Sequence, residues 1–231
     1  MGAHRKGGAF RRWSGNEEYV LDWGGSGEDI HAYHNVPLTT NGAPMRGKAF
    51  FFRPAISWSR VSSSEFSIRF YAAGFSYDST APSIFGQESD LKRLLGLLNS
   101  VVVSHLLQAL SPTLDFRITA LSRIPLPADW SLLESASVDR LIELARRDWD
   151  TQETSWGFGS TPWTTNDVGD VRLADHWKRI REDRRNTVLE AQALEEANNR
   201  VFLESYELSH ELDSAVGEDQ IALNVNDAWE Y

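Results

Sequence analysis

No glycine or proline interrupts the chain between Asp170 and Tyr206. Within that stretch Leu173, Trp177, Ile180, Thr187, Ala191, Leu194 and Val201 recur at alternating spacings of four and three, with polar Arg184 and Asn198 in the same register. This imperfect heptad predicts a helix packed along one side. At 1.5 Å per residue a straight helix of this length reaches roughly 50 Å. The last third of the chain is therefore expected to be helical, beside whatever the first two thirds form.

Those first two thirds carry a different pattern. Residues 1–46 are punctuated by Gly7-Gly8, Gly24-Gly25-Ser26-Gly27 and Asn41-Gly42-Ala43-Pro44, which read as loops and short strands. Phe66, Ile68 and Phe70 alternate with Ser67 and Arg69, the period-two signature of a half-buried strand. Phe50-Phe51-Phe52, Ala55 to Arg60 and Phe75 to Tyr77 are expected to be strands around it. Ser89 is a plausible N-cap for a helix to Leu110, with Leu91, Leu94, Leu95, Leu98, Val102 and Leu106 on one face and Pro112 as its stop. Leu114 to Ile124 reads as a returning strand closed by Pro125 and Pro127. A second amphipathic helix starts near Ser137, marked by Val138, Leu141, Ile142 and Ala145, and residues 151–169 read as an aromatic, glycine-rich loop. The expected architecture is α+β. A mainly antiparallel twisted sheet with packed helices occupies 1–129, and a mostly helical segment occupies 130–231.

A chain with 41% hydrophobic residues can build a core, and with no cysteine it forms no disulfide or thiolate site. It has neither an apolar run long enough to span a bilayer nor the apolar segment of a signal peptide, so the cytoplasm is the expected compartment. The net charge of −10 is unevenly spread. Residues 1–70 hold nine Lys/Arg against six Asp/Glu, whereas residues 131–231 hold ten against twenty-two. The front half is suited to meeting phosphate and the back third is not.

Few constellations carry chemistry. His31 and His34 have metal-ligand spacing only on a helix, and the flanking Gly24 to Gly27 and Pro37 speak against one. Gly24 to Gly27 lacks the spacing of a phosphate loop, and Glu28-Asp29 would repel an anion there. Two basic-aromatic clusters stand out. In Lys6 to Asn16, Arg11 and Arg12 can clamp phosphate or a guanine edge, and Asn16 can pair with adenine. Ile56 to Ser64 is rich in hydroxyls suited to backbone contacts. On the residues alone, the first also reads as a tail and the second as a hairpin with a buried Trp58.

Five segments in order resemble the C-terminal part of BREX-type adenine-specific DNA methyltransferases, the PglX family, and related type II restriction–modification enzymes. They are KGGAFRRWSGN (6–16), ISWSRVSS (56–63) with GFSYDSTAPSIF (74–85), LLNSVVVSHLLQALSPTLDFRITALSRIPLP (97–127), RDWDTQETSWGF (147–158) and LEEANNRVFLESYELSHELDSAVGEDQIALN (194–224). Ser14 replaces a usual aromatic and Ser111 a usual asparagine. The resemblance implies a target-recognition domain followed by helices that brace it against a catalytic domain. That domain moves a methyl group from S-adenosylmethionine to a flipped adenine, using a glycine-rich cofactor loop and an Asn-Pro-Pro-aromatic motif. Neither element occurs in these residues, so the chain is expected to be non-catalytic and without a cofactor of its own. It would then be a truncated gene, a split subunit or an excised piece. Double-stranded DNA is the expected partner, gripped by Lys6, Arg11, Arg12 and Asn16, with Arg53, Ser59, Arg60 and Arg117 as further contacts. Trp13 and Trp58 are expected either to stack or to fill the core. A methyltransferase subunit is the second expected partner. The rival expectation is a protein-interaction module that docks such a subunit, another defence protein or a phage DNA mimic.

Overall fold

A computed structural model describes residues 1–62, 65–111, 113–133, 136–161 and 172–226. Ser63 and Ser64 of the hydroxyl-rich cluster, Pro112, the loop from 162 onward and the expected helix start at Asp170 lie outside them. The described chain is α+β. Strands β1 (Gly2–Arg5), β2 (Tyr19–Leu21), β3 (Ala55–Trp58), β4 (Ile68–Tyr71), β5 (Phe75–Tyr77) and β6 (Ser83–Phe85) form two three-stranded sheets. In the first, β1 lies between antiparallel β2 and parallel β5; in the second, β3 lies between β4 and β6, both antiparallel. The helices are α1 (Glu28–Tyr33), α2 (Glu88–Leu98), α3 (Val101–Leu110), α4 (Ile118–Leu121), α5 (Ala136–Trp149) and α6 (Leu173–Ser205).

The alternation around Ile68 does mark a strand, but both of its faces are buried. Ile68 and Phe70 join Ile56, Trp58, Leu91 and Leu95 in the core. On the other face Arg69 is enclosed, donating to the Ser59 hydroxyl (3.1 Å), the Arg11 carbonyl (3.3 Å) and the Tyr71 hydroxyl (3.2 Å). A polar residue in a period-two pattern thus faces an internal network rather than water.

Several expected elements take other forms. The helix expected from Ser89 to Leu110 breaks at Asn99-Ser100 and bends by 70° between α2 and α3. The Asn99 side chain binds Ile68 at both ends, accepting from its N–H (3.1 Å) and donating to its carbonyl (3.0 Å), which anchors the break to β4. The apolar stripe runs across the bend, so periodicity gives no sign of it. Residues 114–124 make an isolated bridge at Asp115 and then turn into α4, where Ile118 is exposed and Leu121 buried. Phe50 ends a single 3₁₀ turn, and Phe52 has φ +67°, a left-handed value foreign to a strand. Residues 28–33 do form a helix, α1, despite the surrounding glycines.

One hydrophobic cluster joins the sheet residues and α2 to Val138, Leu141 and Ile142 of α5 and to Val188, Ala191, Phe202 and Leu203 of α6. The core is continuous across residue 129. On α6 the buried positions include Ile180, Val188, Ala191, Glu195, Asn198 and Phe202; of the expected register, Leu194 is half-buried against the core, while Leu173 and Trp177 are exposed. The two registers share Ile180, Ala191 and Asn198. Gly96 of α2 leaves room for α6, since a Cβ there would sit 2.8 Å from Asn198 Oδ1, and the Asn198 amide donates to the Gly96 carbonyl (2.9 Å). Among the described residues no single helix is long and apolar enough to cross a membrane.

Candidate nucleic-acid interface

The first basic-aromatic cluster is drawn into the molecule. Residue 13 adds itself beside β4: its N–H donates to the Ile68 carbonyl (3.1 Å) and its carbonyl accepts from Phe70 N–H (2.9 Å). This places the neighbouring arginines against the C-terminal helices. Arg12, 8% exposed, donates to Glu195 Oε2 of α6 (2.7 Å), while the Trp13 indole N–H donates to Glu195 Oε1 (2.7 Å). Arg11, 2% exposed, donates to Asp148 Oδ2 of α5 (3.1 Å) and stacks 4.9 Å from the Trp149 ring. Asp148 also accepts from the backbone N–H groups of Asn224 (2.8 Å) and Val225 (2.9 Å).

The expectation that Arg11, Arg12 and Asn16 lie against DNA is corrected by this geometry, while Trp13 fills the core, one of its two expected roles. Both arginines are paired with buried carboxylates, and Asn16 is buried with its amide on the Ala9 carbonyl (2.9 Å). The glycines of the cluster admit the protein's own atoms: a Cβ on Gly8 would lie 2.7 Å from the Asn16 amide. Trp58 is core, donating its indole N–H to the Phe116 carbonyl (2.7 Å). Ser59 is buried too, and its hydroxyl exchanges hydrogen bonds with the Gly8 backbone (2.9 Å each).

Two further charges sit close by. Arg5 is fully buried over the rings of Tyr71, Tyr77 and Phe85, at 4.9, 5.3 and 6.0 Å, and desolvation lowers its pKa to about 10. Burial raises the Glu17 carboxyl from its ordinary 4.5 to about 7, against the attraction of Arg146 and Arg5. A carboxyl that keeps its proton longer in the folded state makes stability fall as pH climbs from 4.5 to 7. Replacing Glu17 by Gln is expected to flatten that slope and raise stability at pH 8 by up to about 3 kcal/mol. Urea titrations of both proteins at pH 5 and pH 8 check this; an unchanged slope in the variant goes against it.

Four of the expected contact residues, Lys6, Arg53, Arg60 and Arg117, remain exposed. Arg60 and Arg117 line one cleft of about 860 Å³ together with Arg46, His4 and Asp78, between walls that include Phe51, Tyr77 and Phe85. The Arg60 and Arg117 side chains are 46% and 66% exposed, and both donate to Asp115, at 3.1 and 2.7 Å. Those two bonds hold the Asp115 carboxyl below the usual carboxylate range. Arg46 is exposed and makes no ion pair among the described residues. Arg53 stacks 5.3 Å over Phe50, whose ring meets Phe85 at 5.2 Å, so it flanks the cleft. Lys6 stands apart, 5.2 Å over Tyr19.

Sequence reasoning missed Arg46, His4, Asp78 and Asp115. No motif spacing links them, because they are brought together by strand pairing and the turn before residue 48. His31 lies in α1 and its Nε2 accepts from the Lys48 ammonium (2.9 Å), leaving that nitrogen no lone pair for a metal. The C-terminal third is also not uniformly anionic. Residues 172–185 of α6 and its N-cap hold six Lys/Arg against three Asp/Glu.

No family model matches the chain. It is 30% identical over 156 residues, 66% of its length, to the adenine-specific methyltransferase BrxX of Escherichia coli O9:H4 (strain HS). The chain spans 12% of that protein and 18% of a second relative, so it corresponds to a small share of either. That second relative, to which the chain is similar across 90% of its own length at 36% identity over 225 residues, is the adenine-specific methyltransferase PglX of Lacticaseibacillus casei (strain Zhang).

Proposed function

We propose that the chain is the DNA-recognition part of a site-specific adenine methyltransferase in a phage-defence system, with methyl transfer carried out by the remaining length of such a protein. The observation that carries this reading is the similarity itself: nearly all of this chain aligns to under a fifth of a methyltransferase. The geometry supports a DNA contact at the cleft of Arg46, Arg60 and Arg117, flanked by Arg53. Arg11 and Arg12 instead hold the framework that presents it. On this reading S-adenosylmethionine belongs with the remaining length of such a protein, since this chain contains no Asn-Pro-Pro motif to hold a target base.

Anisotropy titration of a labelled duplex between 50 and 200 mM KCl tests the reading. Three phosphate contacts give a slope of log K against log salt of about −2.7, and each Arg→Ala change at 46, 60 or 117 reduces it by about 0.9. Binding that ignores salt, or that survives all three substitutions, overturns it. A second reading, docking of a catalytic subunit, is favoured by Leu173, 75% exposed on α6. Restored methylation on mixing with a separately expressed catalytic domain, lost in Leu173→Asp, supports that docking.

A further inference from the structure

The cleft is recessed, which gives it a use that a flat cationic surface lacks. Its floor includes buried Met45 and His4, and base edges in a stacked duplex cannot descend to them. A single unstacked nucleotide can. Aromatic side chains such as Tyr77 and Phe85 offer a base the stacking it loses on leaving the helix, and the arginines face its phosphate.

The polar groups inside narrow the choice of base. The Ser76 hydroxyl donates to the Ala3 carbonyl (3.2 Å), so His4 Nδ1 donates to Ser76 (2.9 Å) and Nε2 keeps its lone pair. Asp78 Oδ1 accepts from Thr80 N–H (2.7 Å), leaving Oδ2 available. His4 Nε2 and Asp78 Oδ2 are 3.7 Å apart, beyond hydrogen-bond distance. Two acceptors side by side at that separation suit a donor with two hydrogens that bridges both. An exocyclic amine has them: adenine, cytosine and guanine carry one, and thymine does not.

Resting on the reading of this chain as a DNA-recognition part, we infer that the cleft receives one unpaired nucleotide of the bound DNA, with the phosphate at Arg46 and Arg117 and a base amino group between His4 and Asp78. The cleft thereby discriminates amino-bearing bases from thymine. The role is in binding, and no covalent step occurs there.

The test measures affinity for three duplexes of otherwise identical sequence: fully paired, with one bulged adenine, and with one bulged thymine. The bulged thymine controls for the flexibility that any bulge confers. Wild-type protein is expected to bind the adenine bulge about tenfold more tightly than the thymine bulge, as two hydrogen bonds to the amine require. Asp78→Asn keeps the acceptor for Thr80 but presents an amide to the base, and Thr119→Trp fills the cleft from exposed α4. Each is expected to bring the adenine-to-thymine ratio to about one. Equal affinity for both bulges in the wild type overturns the inference, as does a preference that persists in both variants. If the paired duplex still binds in a salt-dependent way, the recognition reading survives that failure. If no duplex binds, both fall.

Discussion

Exchanging Glu195 for alanine is expected to lower the unfolding free energy by about 3–5 kcal/mol, because it leaves a buried guanidinium with only the exposed Glu65, 3.6 Å away, and strips an indole N–H of its acceptor. Glu195 receives Arg12 on one carboxylate oxygen and Trp13 on the other, both at 2.7 Å. Taking two charges out of water is expensive, and the pair offsets that cost only while it is complete. The double variant Arg12→Met with Glu195→Met is therefore expected to be more stable than Glu195→Ala alone. It removes the desolvation penalty with the attraction and leaves only the Trp13 indole unsatisfied. Urea unfolding of the wild type, the single variants and the double variant completes the cycle. Single variants that unfold at the wild-type midpoint would show that the seam carries no stability.

Asp148→Ala is the second large effect, at about 4 kcal/mol. Here one carboxylate serves Arg11 and also the N–H groups of Asn224 and Val225, so its removal releases the end of the described chain as well as a buried cation. For a chain of this size the loss corresponds to a fall in Tm of about 10 °C. Asp148→Asn keeps an acceptor for the backbone donors but not the charge, and is expected to recover part of the difference. If Asn is as harmful as Ala, the charge on Asp148 matters more than the backbone bonds. Faster amide exchange at Asn224 and Val225 in Asp148→Ala would locate the local opening.

The sequence made the fold class readable because periodicity depends on local spacing, and local spacing survives tertiary context. Ile68 and Phe70 read as strand and are strand; Val138, Leu141 and Ile142 read as one helix face and are one. What periodicity could not convey was the role of charge. Arg12 and Glu195 are 183 positions apart, and neither carries a local sign that it is buried. The heptad put Leu194 on the packed side of α6, where it does lie half-buried against the core, but it gave no place there to Glu195, one position further on and fully enclosed. The bend after Leu98 was hidden for a related reason: Asn99 stops α2 through a bond to β4, a partner outside its own neighbourhood. The proposed DNA surface was legible only in part. Arg60 and Arg117 were singled out and do line one cleft, but Arg46 joins them from a turn with no motif. Arg11, Arg12 and Asn16 had the composition of a DNA contact, but the two arginines join the two halves of the chain and Asn16 ties back to Ala9.

The recognition role proposed for this chain invites transplantation, in which one enzyme's specificity is grafted onto another's catalytic body. The seam of Arg11 and Arg12 with Asp148 and Glu195 dictates where such a chimera can be cut. A splice between residues 129 and 130 would marry two native cations to foreign helices lacking the matching acids, and the hybrid would inherit uncompensated charge at its centre. Donor sequence would have to run unbroken from β1 through Val225, or carry both carboxylates across with the arginines.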